Sequence, residues 1–317
     1  MLPFALAIAA LLLLGLFVEV FAVLRASAPA RVSTMRLGPP AAGPGEPIPR
    51  IVWTYWAELP APDLVARCLR LWQRLAPDHE IRLVDRSTAA RWLDSPLDVA
   101  AFDALPPYRQ ADWLRLQLLI AHGGIWMDGS TLLTASLDWV HGLRGEPAAG
   151  VVGFHIERYT TDPRWPVVEN WFIAAPPRDP FIVAWAAELD RALALGEAGY
   201  LDALRGDGLL DALAQGIPED MRAYLVMHLA ASAVLQRAPA AYRLTLQRAE
   251  DVAFAFHARL RWRKRHLYAR LALTPAPRRV PALVKLRSGD RAVVEQGLAR
   301  GWLWRRSLLA RLLEIAG

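Results

Sequence analysis

One stretch in the first half of the sequence limits the fold most strongly. Residues 108–122 have helical spacing, Gly123-Gly124 ends that helix, and residues 125–127 form a short apolar strand that stops at Asp128. The sequence therefore predicts a helix, a tight turn and a buried strand whose carboxyl end carries an acidic side chain.

Strand-like and helical segments alternate along much of the rest of the chain. The predicted strands are Ile51–Tyr55, Glu80–Val84, residues 150–155 and residues 169–175; the predicted helices are Asp63–Leu75, residues 87–93 and a helix that begins at Asp179-Pro180. This alternation predicts an α/β fold with an open mixed sheet and flanking helices. Ligands of such sheets bind where strands end, so we expect Asp128 in a ligand crevice.

Asp112 and Arg115 lie three positions apart on the predicted helix and therefore share a face. By itself this spacing is typical of an ordinary ion pair. The carboxylate of Asp128 at the end of the next strand favours a functional interpretation instead. Small residues follow it, Gly129 and Ser130, which leaves room for a hydrated Mg²⁺ bridging a diphosphate.

Composition excludes several classes of protein. Of 317 residues, 54% are hydrophobic and 21% are charged, which excludes a disordered chain. A single cysteine, Cys68, excludes a disulfide framework and a multi-cysteine zinc site.

Residues 252–289 contain ten Lys or Arg and no acidic residue. No nucleic-acid module accompanies this basic segment, so we expect no nucleic acid as a partner. We favour an anionic membrane surface, and a segment that simply faces water is the alternative.

Residues 2–24 are apolar except for Glu19. A helix of this length reaches roughly 34 Å, which predicts an uncleaved transmembrane anchor. A signal peptide cleaved near Ala26-Ser27-Ala28 is the alternative. Arginines follow the segment and none precedes it, at Arg25, Arg31 and Arg36. The positive-inside rule then predicts a single-pass protein with its main domain on the cytoplasmic face of a bacterial inner membrane.

The motif of Asp112, Arg115, Gly123-Gly124 and Asp128 resembles glycosyltransferases that carry a DXD motif. This group includes capsular polysaccharide synthesis proteins, yeast-type initiating α-mannosyltransferases and large clostridial toxin glucosyltransferases. Three further segments are similar to its elements: residues 48–53 to its first strand, residues 169–175 to its N-x-F-x-A strand, and residues 281–286 to a closing Lys-Leu element. The similarity covers about residues 48–290.

The resemblance implies a GT-A-like fold, a nucleotide-sugar donor, a divalent metal (Mn²⁺ or Mg²⁺) and transfer with retention of configuration. It implies that Trp53 stacks on the nucleotide base and that Asp112 and Arg115 hold the donor sugar and ribose hydroxyls. Asp128 would approach the metal and the diphosphate. Asn170 lies near a strand end, where it would face the acceptor or the reacting sugar; hydrogen bonding at the strand edge is the alternative.

The sequence departs from the family pattern at one position. The DXD motif reads Asp128-Gly129-Ser130 and lacks its second carboxylate. Ser130 is therefore expected to be at most a minor metal ligand. We divide the chain into an anchor (2–24), a linker (25–47), a GT-A-like domain (48–250) and a basic, mostly helical extension (251–317).

Two functions from different classes follow. The first is a membrane-anchored, metal-dependent hexosyltransferase that transfers a sugar to a saccharide acceptor, free or lipid-linked, in capsular or surface polysaccharide synthesis. The second is a degenerate, non-catalytic transferase fold that serves as a scaffold in polysaccharide assembly. The presence of all four of these residues favours the enzyme: Trp53, Asp112, Arg115 and Asp128.

Overall fold

The computed structural model describes residues 2–39, 45–144 and 150–314. Residues 40–44 of the predicted linker lie outside this part of the chain. The chain divides into two compact units, which we call the large unit and the small unit. The large unit comprises Val32–Gly129 and Ser136–Ala249, and the small unit comprises Met1–Arg31, Ser130–Ala135 and Glu250–Gly317.

Strands and helices alternate through the described residues. The strands are β1 (Thr34–Leu37), β2 (Ile51–Tyr55), β3 (Glu80–Val84), β4 (Gly124–Met127), β5 (Thr131–Leu133), β6 (Val151–His155), β7 (Val168–Ala175), β8 (Leu244–Arg248) and β9 (Leu283–Lys285). The α-helices are α1 (Leu2–Arg25), α2 (Asp63–Leu75), α3 (Val99–Ala104), α4 (Pro107–His122), α5 (Asp138–Arg144), α6 (Pro180–Gly206), α7 (Leu210–Ala214), α8 (Glu219–Arg222), α9 (Val226–Arg237), α10 (Ala255–Arg259), α11 (Lys264–Tyr268), α12 (Ser288–Ala299) and α13 (Leu308–Leu313). The predicted helix at residues 87–93 is only a short 3₁₀ turn, Ala89–Trp92.

The large unit is built on a seven-stranded sheet with the order β1-β8-β6-β7-β4-β2-β3. Strand β2 runs parallel to β3 and β4, whereas β7 runs antiparallel to β4 and β6. This mixed sheet agrees with the predicted α/β class. In the small unit, β5 and β9 form an antiparallel pair.

A turn of two glycines connects α4 to β4, which lies between β2 and β7 in the large sheet. Gly123 and Gly124 have positive φ angles of 63° and 98°. A Cβ atom on Gly124 would lie 2.6 Å from the carbonyl oxygen of Ile51, so only glycine fits there. All four residues of β4 are buried. The backbone N–H of Asp128 donates to the carbonyl of Trp171 over 2.9 Å, which fixes the end of β4 against β7.

The predicted transmembrane anchor at residues 2–24 is wrong. The segment is helical, but across the described residues no helix combines the length and the apolar character that crossing a bilayer requires. Near the end of α1, Glu19 forms ion pairs with Arg263 and His266 of the small unit. A charged, paired side chain in this part of the helix is unlike a lipid-facing segment. The single-pass location on a cytoplasmic membrane face, which depended on the anchor, is wrong as well.

Basic side chains of residues 252–289 take part in contacts inside the small unit. Arg270 is buried and its Nε donates to the carbonyl of Ala26 over 2.7 Å. Arg287 pairs with Asp290 at 2.7 Å, and Lys285 is buried as well. These cations have structural partners, and the membrane predicted as a partner of this segment has no support.

Candidate active site

Helix α4 carries three buried charged side chains on one face of the large unit. Arg109, Asp112 and Arg115 follow one another at intervals of three, and all three are buried. Arg109 Nη1 donates to Asp112 Oδ2 over 2.9 Å, and Arg115 Nη1 lies 3.0 Å from Asp112 Oδ1. Burying a charge is costly unless it is paired, so the two guanidinium groups and the carboxylate depend on one another.

Asp128 lies at the carboxyl end of β4 and extends this group of charges. Its Oδ1 accepts a hydrogen bond from Trp126 Nε1 over 3.0 Å and lies 3.6 Å from Arg115 Nη2. The Arg115 guanidinium also lies over the Trp126 ring, 4.9 Å from the centroid. The Asp128 side chain is 29% exposed, against 7% for Asp112, so Asp128 is the more open of these two acids.

Asn170 completes the group from strand β7. Its Nδ2 donates to Asp112 Oδ1 over 3.0 Å and lies 3.4 Å from the sulfur of Met227. The structure therefore brings together four predicted residues from three elements: Asp112, Arg115, Asp128 and Asn170. We call these four the acidic–arginine cluster.

Sequence reasoning missed several residues around this cluster. Arg109, three positions before Asp112, could have been found from its spacing. Besides Asp112 it binds Glu197 Oε1 at 2.7 Å and the carbonyl of Ala223 at 2.8 Å. Met227, at the start of α9, contacts both Arg115 and Asn170. No local pattern connects Met227 to residues more than 50 positions away.

Tyr224 was also missed, and it is the aromatic residue near the cluster with the greatest exposure, 56%. Partial burial raises the pKa of the Tyr224 hydroxyl above its usual value, and the charges of Asp112 and Asp128 raise that pKa further. Tyr224 therefore keeps its proton at neutral pH. It can donate a hydrogen bond to a ligand oxygen.

Trp53 does not join the cluster. Its side chain is fully buried, its Nε1 donates to the carbonyl of Gly123 over 3.0 Å, and its ring stacks on His122. A nucleotide base could reach the Trp53 ring only if the residues that surround the ring moved. Trp56, just after β2, is partly exposed.

Of the residues that the resemblance assigns to the divalent metal, only Asp128 has a partly exposed carboxylate. Both oxygens of Asp112 already bind arginine or Asn170. In the small unit, Ser130 Oγ donates to the carbonyl of Leu286 over 2.9 Å and accepts from Lys285 Nζ over 3.1 Å. In the ranges that the structure covers, no group of three or more His, Cys, Asp or Glu side chains could hold a metal ion.

Sequence comparison relates the chain to glycosyltransferases. Residues 44–190 match the model of a family described as "Capsular polysaccharide synthesis protein", which confirms the resemblance predicted from the motifs. The matched range contains all four residues of the acidic–arginine cluster.

A curated relative is the O-glycosyltransferase braB of Annulohypoxylon truncatum. It is 30% identical over 151 residues, which cover 42% of this chain. The chain spans only 35% of the length of that relative. This match therefore does not establish the activity or the substrates of the whole protein.

Solved structures that align with most of this chain include two glycosyltransferases. The glycosyltransferase PaToxG has a TM-score of 0.35 at 16% identity and covers 82% of this chain and 90% of its own. The ligand-free glycosyltransferase domain of the YGT toxin has a TM-score of 0.38 at 9% identity, with coverage of 80% and 90%. At these scores the likeness carries no argument about the site.

Proposed function

We propose that this chain is a glycosyltransferase that moves a sugar from a nucleotide-sugar donor to a saccharide acceptor in the synthesis of a capsular or other surface polysaccharide. The observation that carries the proposal is the acidic–arginine cluster at the end of β4. It joins Asp112, Arg115, Asp128 and Asn170 within the range that matches the capsular family.

Asp112 and Arg115 are suited to recognise the donor sugar. A carboxylate and a guanidinium held in fixed positions can accept from and donate to neighbouring hydroxyl groups of one sugar ring. Arg109 and Asn170 hold the Asp112 carboxylate in place through bonds of 2.9 and 3.0 Å. Such prior ordering contributes to rate because little reorganisation is needed when the donor binds.

Arg115 has a further feature that fits ligand binding. Its Nε is buried and has no hydrogen-bond partner among the described residues. A buried N–H group without a partner is costly, and a ligand oxygen reaching it would remove that cost. Arg115 therefore lies close to both carboxylates of the cluster. Its Nε–H group is still able to donate a hydrogen bond to a ligand.

The proposed transfer breaks the bond between the anomeric carbon and the diphosphate oxygen. The electron pair leaves with the nucleoside diphosphate, an acceptor hydroxyl forms the new bond, and its proton is released. We assign no covalent nucleophile. Transfer of a hexose with retention of configuration, in which the acceptor attacks from the face that the diphosphate leaves, is part of the proposal.

The test is release of nucleoside diphosphate by the purified full chain from a panel of nucleotide sugars, without an acceptor. We expect slow release from one donor and its loss in Asp128→Asn, a substitution that should leave the fold intact. Asp63→Asn is the matched control, because Asp63 forms an exposed ion pair on α2. Absence of both release and donor binding, measured by calorimetry, would contradict the proposal and favour the scaffold, which the missing second carboxylate of the DXD motif keeps open.

A further inference from the structure

A second contact between β7 and α9 lies beside the acidic–arginine cluster. The first contact belongs to the cluster, where Asn170 Nδ2 lies 3.4 Å from the sulfur of Met227. The sequence neighbours of these two residues form the second contact, in which His228 Nε2 lies 3.6 Å from Glu169 Oε2. All four residues belong to the large unit. Glu169 and His228 are therefore fixed next to the cluster by the same strand and helix.

A break in the register of β7 explains why two successive residues both contact α9. In a regular strand, successive side chains point to opposite faces of the sheet. Here Val168 lies opposite His155 of β6, whereas Ile173 lies opposite Gly153, so that β7 has extra residues between the two pairs. Such a bulge re-aims side chains, and bulges are common next to active sites.

The Glu169–His228 pair is buried but weakly bonded. Glu169 is 6% exposed and His228 is 7% exposed. Their separation of 3.6 Å is too long for a hydrogen bond. Among the described residues, His228 is the one side-chain partner of the Glu169 carboxylate. A buried carboxylate held this weakly is costly, and a ligand that donates a hydrogen bond to it would remove part of that cost.

His228 presents a hydrogen-bond donor to Glu169. Its Nδ1 atom is buried and has no hydrogen-bond partner among the described residues. An N–H group at Nδ1 would stay unsatisfied, so the proton of the neutral ring belongs on Nε2. The pair therefore offers an acceptor on Glu169 and a donor on His228 at one place.

We propose that the Glu169–His228 pair binds the hydroxyl group that attacks the donor sugar and that Glu169 takes the proton of this hydroxyl. The inference rests on the proposed function. A hydroxyl both donates and accepts, so it can donate to Glu169 Oε2 and accept from His228 Nε2. Two hydrogen bonds of about 2.8 Å can meet at one oxygen across the 3.6 Å between these atoms. Asn170, which follows Glu169, binds Asp112, and so the pair lies beside the carboxylate proposed to hold the donor sugar.

The transfer balances with Glu169 as the base. The bond from the anomeric carbon to the diphosphate oxygen breaks, and its electron pair stays on the diphosphate. The attacking hydroxyl oxygen forms the new bond to the anomeric carbon, and its proton passes to the Glu169 carboxylate, which later releases it to solvent. His228 keeps its Nε2 proton throughout and orients the hydroxyl. Water takes the place of the acceptor hydroxyl when no acceptor is present.

The experiment measures kcat and KM for nucleoside diphosphate release by the full chain without an acceptor. Glu169→Gln should lower kcat roughly 100-fold, a loss typical of removing a base. It should leave the affinity for the released nucleoside diphosphate, measured by calorimetry, within about 2-fold of the wild type. Glu80→Gln is the matched control, since Glu80 is exposed at the start of β3 and should leave both values unchanged. Thermal unfolding checks that each variant folds.

Rescue by a small carboxylate separates a base from a structural ion pair. Glu169→Ala leaves space at the site, and added formate should raise its release rate at least ~10-fold by taking the proton instead. Formate should not raise the rate of the wild type or of Glu169→Gln. His228→Leu should lower kcat about 10-fold, and His228→Gln, which keeps an N–H group, should lower it less. Loss of kcat and nucleotide affinity together in Glu169→Gln, without rescue of Glu169→Ala, would overturn the inference.

Failure of this inference can be told apart from failure of the proposed function. Release that Asp128→Asn abolishes but Glu169→Gln leaves at the wild-type rate would overturn the role of Glu169 and leave a glycosyltransferase. Release from no donor at all would also overturn the inference, because a base at this place would act on water. Calorimetry with the same donors then decides whether the proposed function survives.

Discussion

Asn170 Nδ2 donates a hydrogen bond to Oδ1 of Asp112 over 3.0 Å, although the two residues are 58 positions apart in the sequence. The same Asp112 oxygen lies 3.0 Å from Arg115 Nη1. Asn170 therefore acts on the cluster through Asp112. An amide is suited to this place because its N–H group donates a hydrogen bond to the carboxylate without adding a charge.

Substitution of Asn170 tests this positioning role. We expect Asn170→Asp to lower donor cleavage more than Asn170→Ala, because it places a second negative charge beside the buried carboxylate of Asp112. Loss of one neutral hydrogen bond in Asn170→Ala should cost about 10-fold. The measurement is kcat and KM for donor cleavage in both variants. Equal activity of the two variants would show that a charge at position 170 has no effect on donor cleavage.

Asp112→Asn should lower both stability and activity. The substitution leaves Arg109 and Arg115 buried with less negative charge between them, and removing one partner of a buried ion pair costs about 3–5 kcal/mol. Urea unfolding measures the change. The control Asp63→Asn breaks an exposed pair with Arg67 and should cost less than about 1 kcal/mol. Similar losses in the two variants would contradict the structural importance of the buried pair.

Asp128→Asn should separate function from folding. The Asp128 side chain is 29% exposed, and an asparagine oxygen can still accept from Trp126 Nε1. We therefore expect a stability change below about 1 kcal/mol and a loss of donor cleavage of roughly 100-fold. Unfolding and cleavage are measured on the same preparation. Wild-type cleavage by this variant would remove Asp128 from the proposed site.

Much of the large sheet follows from local sequence patterns. The bounds predicted for β2, α2 and β3 are those observed, and helix α4 begins one residue before its predicted start. The Gly123-Gly124 turn was found because glycine is the residue that tolerates its backbone angles. These features depend on neighbours in sequence, and so a single sequence is enough to predict them.

Features that depend on distant contacts could not be predicted. The Trp53 ring is enclosed by His122 and by Arg82, which comes from the neighbouring strand. Sequence alone does not say which of Trp53 and Trp56 is fully buried. Ser130 and Lys285 are 155 positions apart, so no local sequence pattern indicates the hydrogen bond between them. The apolar run at residues 2–24 predicted a helix correctly and its role as a membrane anchor wrongly.

Tyr55, the last residue of β2, gives a prediction for alkaline pH. Burial raises the pKa of its hydroxyl from 10 to about 12, and the hydroxyl donates to Gln110 Oε1 on α4 over 2.7 Å. Between these two pH values the folded state keeps a proton that the unfolded state has lost. Tyr55 therefore has no effect on the pH dependence below about pH 10 and makes the fold less stable as the pH rises above it.

The expected slope from this one group is about 1.4 kcal/mol of unfolding free energy per pH unit between about pH 10 and about pH 12. Tyr55→Phe has no proton to lose and should show a shallower decline over that range. It should also be less stable than the wild type at neutral pH, because Gln110 loses its buried partner. Urea unfolding at a series of pH values measures both effects. Parallel curves for the two proteins above pH 10 would mean that Tyr55 titrates alike in the folded and unfolded chain.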